Sequence, residues 1–187
     1  NGTALFLRVE GSEAHPHRVD LRRLPAGWRV ATAMPALGAN EDGRGTYEAA
    51  DYDELVDHPV ELGRFWRGRF EARGVPHEYV VAGALPDFDG ERLLADVKRV
   101  CEAQIAFWHG RRGKPPQSRY VFLHNLVEDG HGGLEHRAST ALISPRREMP
   151  SVGRREASDG YVNLLGLVSH EYFHTWNVKR LRPAEFA

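Results

Sequence analysis

Residues 170–174 read His170-Glu171-Tyr172-Phe173-His174, and this H-E-x-x-H spacing constrains the chain more than any other feature. Residues four apart on an α-helix share one face, about one turn of rise apart. Two imidazoles so spaced can each aim a ring nitrogen at one metal ion, and the neighbouring Glu171 can reach a water held there. Zinc with two His and one carboxylate ligand keeps its fourth position open to water. The ion lowers the pKa of that water, and a carboxylate base completes its activation. Leu164, Leu165, Leu167, Val168, Tyr172, Phe173 and Trp176 flank the motif. The segment is apolar nearly all round, which predicts a helix buried in a core. Buried imidazoles and a carboxylate need partners, and a shared metal supplies one. The pattern assigns His170 and His174 as zinc ligands and Glu171 as the general base.

The third ligand is not in the motif. An extended H-E-x-x-H-x-x-G-x-x-H helix would carry Gly at 177 and His at 180, where Asn177 and Arg180 stand. The remaining ligand is most simply a Glu on a following helix. Glu185 is the one acidic residue after the motif and follows Arg182-Pro183, which is expected to end the helix. Glu185 therefore reads as a surface residue, and the third ligand is expected beyond Ala187, in a longer protein. On that expectation the present piece is inactive and holds zinc weakly or not at all. Its uncovered apolar face also opens the way to self-association.

Three stretches resemble one family. His170-Glu171-Tyr172-Phe173-His174-Thr175-Trp176-Asn177-Val178-Lys179-Arg180-Leu181-Arg182-Pro183 is similar to the active-site signature of the M61 glycyl aminopeptidases. Gly132-Gly133-Leu134-Glu135-His136-Arg137-Ala138-Ser139-Thr140 and Asp51-Tyr52-Asp53-Glu54-Leu55-Val56-Asp57-His58-Pro59-Val60 resemble the same family. The resemblance implies a thermolysin-like zinc peptidase with a β-rich domain before the catalytic domain and often a PDZ domain after it. It implies a zinc ligand Glu on a later helix, which has no counterpart here. It also implies a preference for small N-terminal residues, glycine or alanine.

Composition narrows the partners. The 187 residues carry a net charge of -1, with 41% hydrophobic and 27% charged residues. No single-sign field points to nucleic acid or an anionic membrane. No apolar run approaches the roughly 20 residues that span a bilayer. The first residue is Asn1 and not Met, so the compartment of this soluble, bacterial-type protein stays open between cytoplasm and periplasm. The single cysteine, Cys101, excludes an internal disulfide and lies at an apolar helix position.

Read in order, residues 1–86 form a β-rich domain. Strands are expected over 3–9, 18–24 and 28–33, a loop over 38–45, a helical turn over 51–57 ended by Pro59, and a hairpin joining 64–72 to 77–82. From Pro86 the period changes to helical: Leu93, Leu94, Val97, Val100, Cys101, Ile105 and Trp108 share one stripe behind an Asp89 cap. Strands follow over 119–125 and 138–143, separated by a Gly-rich loop over 128–133. Ser158 or Asp159 caps the metal-site helix. The fold class is thus α+β. Residues 87–187 read as the first, incomplete lobe of a thermolysin-like catalytic domain.

Gly132, Gly133, Glu135 and His136 lie just before a strand. Paired glycines let a backbone come close to a ligand or turn sharply, and a peptide can pair with such a strand by strand addition. On residues alone, Glu135 either faces a substrate or is a solvated turn residue. The resemblance implies that it anchors the substrate's free α-amino group. On residues alone, His136 reads as a further substrate contact or as an exposed loop histidine. Asp51, Asp53 and Asp57 lack the Gly and terminal Glu of a calcium loop and read as solvated or structural. Trp176, Asn177, Lys179 and Arg180 are expected to support the site or the helix end. The reading favours a zinc aminopeptidase acting on peptides with a free N-terminus. The alternatives are a non-catalytic peptide-binding protein on a peptidase fold, against which the intact Glu171 counts, and a zinc hydrolase of another bond.

Overall fold

A computed structural model describes residues 2–110 and 112–186. The fold is mixed α+β and forms two compact units, Asn1–Arg64 and Phe65–Ala187. The division falls well before the expected boundary at Pro86. The reason is strand pairing: the hairpin over 66–82, expected in the first domain, is hydrogen-bonded into the sheet of the second unit.

The first unit is built from short strands. It opens with α1 (Gly2–Leu5), where a strand was expected over 3–9. Leu5, Leu7 and Val9 are exposed, so the apolar run has no buried face that would hold it in a sheet. A Cβ on Gly2 would overlap the backbone of Val56, and this close approach seats α1 on α2 (Tyr52–Asp57). Asp51 caps α2 by accepting from Glu54 N at 2.7 Å, which gives that carboxylate a structural task. β1 (His17–Asp20), β3 (Ala36–Ala39) and β4 (Gly45–Ala49) form a sheet of order β1-β4-β3, and β2 (Arg29–Thr32) pairs with β5 (Val60–Gly63). The expected loop over 38–45 shrinks to the turn of the β3–β4 hairpin, with Gly43 at φ 79°. Val30, Met34, Tyr47, Ala49 and Leu55 make the core of this unit.

The second unit is a five-stranded sheet of order β6-β7-β8-β10-β9 with two long helices. β6 (Trp66–Ala72) and β7 (Val75–Ala82) join through Arg73 and Gly74 at φ 52° and 78°, the left-handed pair that a two-residue hairpin turn demands. β8 (Tyr120–Val127) runs parallel to β7, and β10 (Ser139–Pro145) runs parallel to β8. β9 (Gly132–Glu135) closes the edge antiparallel to β10. The last third of the expected Gly-rich loop, Gly132 and Gly133, is therefore edge strand. α3 (Gly90–His109) starts at Asp89, whose side chain accepts from Arg92 N at 3.0 Å. It buries Leu93, Val97, Cys101 and Ile105, which recur every four residues.

The helix expected to carry the metal site is α4 (Asp159–Phe173), capped by Ser158. Its buried face is Tyr161, Leu164, Val168, Glu171 and Tyr172. It is not buried all round, as its apolar content suggested: Val162, Gly166 and His170 form an exposed stripe. Nor does it run to Arg182-Pro183. It stops at Phe173, and the chain turns through residues 174–181, with Lys179 N donating to His174 O and Arg180 N to Trp176 O. Trp176 enforces the stop, because it is buried and its Nε1 donates to His109 Nε2 at 2.7 Å. Among the described residues, no helix is long and apolar enough to cross a membrane.

Candidate metal centre

α4 carries His170 and Glu171 in its last turn and delivers His174 at its C-cap. The two imidazole rings stand at 89° to each other, and their Nε2 atoms are 3.1 Å apart. Nδ1 of His174 is 2.7 Å from the carbonyl oxygen of Asn177. A ring nitrogen facing a carbonyl carries the proton, so His174 donates from Nδ1 and keeps a lone pair on Nε2. That lone pair points to the place that His170 Nε2 also faces. The helix end matters here: only because the chain turns after Phe173 does the Asn177 carbonyl come back to fix the His174 tautomer.

Glu171 is 4% exposed, and its Oε2 has no hydrogen-bond partner among the described residues. Burial raises its carboxyl above the usual carboxylate range, against the pull of His170, His174 and His136 and with the push of Glu135. An unpaired buried polar oxygen costs about 1–3 kcal/mol, and more when charged. Convergent imidazole nitrogens beside such a carboxylate fit a divalent cation of borderline softness, and zinc suits an N/O donor set of this kind.

β9 brings the second group of residues to α4. Alternate strand residues share a face, so Gly133 and Glu135 point the same way. A Cβ on Gly133 would overlap the carboxyl of Glu171, whereas one on Gly132 meets nothing within 4 Å. Gly133 is thus a close-approach glycine, and Gly132 is not. Donor atoms of Glu135, Glu171 and His174 all lie within 4.8 Å of one another. Among the described residues they form a trio of metal-binding geometry, which sequence reasoning did not anticipate because Glu135 reaches α4 only through strand pairing. His136, just past the end of β9, is half-buried, its backbone N–H donating to Ser139 O at 2.9 Å. Gly132 lies on the strand with its vacant side turned away.

Two supports stand behind the centre: Arg180, in the supporting role expected of it, and a buried network around Tyr172 that sequence reasoning missed. Arg180 Nη1 donates to Thr175 O at 2.7 Å and to Arg137 O at 3.2 Å, which ties the turn after α4 to the loop after Glu135. Tyr172 OH is 2.9 Å from His77 Nε2 and accepts from Gln117 Nε2 at 3.2 Å. His77 donates its Nδ1–H to Val75 O at 2.9 Å, so its Nε2 accepts from Tyr172. Burial holds His77 neutral, with a pKa lowered to about 4. Tyr172 stands between Glu171 and His174, so this network fixes the helix segment that presents them.

Comparison with known proteins agrees with these features. Residues 1–64 match the model for the peptidase M61 N-terminal domain, ending where the first compact unit ends, and residues 163–187 match the M61 glycyl aminopeptidase model. No curated protein matches. The structure resembles an aminopeptidase N family protein from Idiomarina loihiensis at 39% identity and a TM-score of 0.92, over 100% of this chain and 31% of that one. The chain therefore spans about a third of that relative. Legionella pneumophila aminopeptidase A shares the fold at 14% identity and a TM-score of 0.52, over 79% of this chain and 18% of that one. With the family's N-terminal domain matched over residues 1–64 and its H-E-x-x-H segment matched at the other end, the chain belongs to the M61 glycyl aminopeptidase family.

Proposed function

We propose that the whole protein is a zinc-dependent aminopeptidase that removes small residues, glycine or alanine, from peptides with a free N-terminus. The observation that carries this reading is the 4.8 Å limit on the separations among the donor atoms of Glu135, Glu171 and His174. One extended residue spans roughly 3.3–3.6 Å. An α-amino group held at Glu135 therefore leaves room for one residue before the scissile carbonyl reaches Glu171. An endopeptidase needs an open path on both sides of that bond, and a carboxylate this close would stand in the way.

His170 and His174 would hold the zinc through Nε2, with Glu171 and Glu135 close by. When bound, the ion supplies positive charge that polarises a carbonyl and acidifies water. The chain's own residues do the rest. Glu171 takes a proton from the attacking water on its unpartnered Oε2 and hands it to the departing amine. Glu135 pairs with the substrate's ammonium and sets its register. Gly133, lacking a side chain, lets the substrate backbone lie against β9 beside Glu171. The preference for glycine or alanine rests on the family resemblance.

The test is Glu171→Gln in the whole protein. Zinc content is expected to stay at the unmutated level while turnover of alanyl and glycyl substrates falls by about two to four decades. Turnover near the unmutated level removes Glu171 as the base.

A further inference from the structure

Beyond the end of β9 opposite Glu135 lies a cavity of about 660 Å3. It is lined by His131, Arg147 and Glu148 on one side and by Val162, Asn163 and Gly166 of α4 on the other. The size is that of a ligand site. Its place follows from the two elements that carry the metal centre. Gly166 and Val162 stand one and two helical turns before His170, on the same exposed stripe of α4. His131 immediately precedes β9, and a strand rises about 3.3 Å per residue. The cavity mouth is thus about four residues, or roughly 13 Å, along the strand from Glu135. One feature of the lining itself asks for a ligand: Oε2 of Glu148 is buried without a hydrogen-bond partner among the described residues, and His131 Nδ1 stands 3.7 Å from it.

We propose that this cavity is the subsite for the departing part of the peptide, occupied by its third and fourth residues, so that the preferred substrates are oligopeptides of four or more residues. The proposal rests on the aminopeptidase reading, because it takes Glu135 as the end where the peptide begins. A chain laid along β9 from Glu135 passes Glu171 beside Gly133, then Gly132, and enters the cavity at His131. Val162 gives its floor an apolar wall, and Gly166 leaves it without an obstructing side chain. Glu148 is placed to accept from a peptide N–H or a basic side chain. Contacts this far from the scissile bond raise kcat/KM when their binding energy is used in the transition state.

The experiment uses the whole protein with zinc and a series of alanyl arylamide, dialanine, trialanine and tetraalanine. kcat/KM is expected to rise about 10-fold or more from dialanine to tetraalanine. A Cβ on Gly166 meets nothing within 4 Å, and leucine is a better helix former than glycine, so Gly166→Leu folds and fills the cavity. In that variant the tetraalanine-to-dialanine ratio is expected to fall close to one. Equal kcat/KM across the series, or a length gain that survives Gly166→Leu, overturns the subsite while leaving the aminopeptidase reading in place. If zinc is bound and no member of the series is cleaved, the aminopeptidase reading falls and the subsite falls with it.

Discussion

The side chain of Arg180 joins the carbonyl of Thr175, at 2.7 Å, to the carbonyl of Arg137, at 3.2 Å. One guanidinium nitrogen thereby holds the turn that follows His174 against the loop that follows Glu135. The same turn supplies the Asn177 carbonyl that orients His174. Arg180 thus spans both halves of the centre.

Arg180→Ala is therefore expected to weaken zinc binding by about 10–100-fold, as loss of a partner behind a metal ligand commonly does. Lysine has a single ammonium on a flexible stem and does not reproduce the planar fork, so Arg180→Lys recovers only part of the loss. Competition with a zinc chelator measures both variants, with circular dichroism as the check on folding. Affinity unchanged in Arg180→Ala would show that the turn holds itself.

Glu135→Ala is expected to raise KM for peptides with a free amino terminus, while N-acetylated peptides remain poor substrates of both forms. Zinc titration of the same variant separates the two tasks its position permits. Unchanged affinity assigns it to the substrate amine, and a loss of several decades assigns it to the metal. In the unmutated protein, equal rates on free and acetylated peptides would remove the reason for an anchor.

Gly133 and Gly132 are neighbours with opposite expectations. Alanine at 133 collides with the Glu171 carboxyl, whereas alanine at 132 meets nothing within 4 Å. Overpacking of this kind costs about 1–3 kcal/mol, here by displacing Glu171, the proposed general base. Gly133→Ala is expected to lose at least about 10-fold in kcat, and Gly132→Ala to stay within about 2-fold. Steady-state kinetics on one alanyl substrate compares them directly.

The buried histidines give a pH signature. His124 is 1% exposed, with Tyr79 OH at 3.0 Å on Nδ1 and Ser144 Oγ at 2.9 Å on Nε2. Burial lowers its pKa from 6.5 to about 3, and that of His77 from 6.5 to about 4. Below pH 6.5 the unfolded chain binds protons that the folded chain refuses, so stability falls as pH falls. Each histidine contributes a slope of about 1.4 kcal/mol per pH unit, His77 down to about pH 4 and His124 down to about pH 3. Urea unfolding between pH 4.5 and 6 is expected to show a slope smaller by one proton in His124→Gln.

By itself the sequence determined the parts whose causes are local. The four-residue spacing of His170 and His174, the apolar stripe of α3 with its Asp89 cap, the start of α4 at Ser158 or Asp159 and the β6–β7 hairpin all follow from periodicity and turn chemistry within a few residues. Tertiary structure decided whatever depends on residues distant in the chain. The apolar content of α4 did not reveal which face stays open, because burial is set by the neighbouring strands. The stop at Phe173 depends on Trp176 finding His109 on another helix. β9 is a strand because β10 offers it an edge, and that pairing carries Glu135 to Glu171 and His174. The boundary at Arg64 is of the same kind: the sequence changes period near Pro86, but strand pairing had already assigned residues 66–82 to the second unit, since a hairpin goes to the sheet that satisfies its backbone hydrogen bonds.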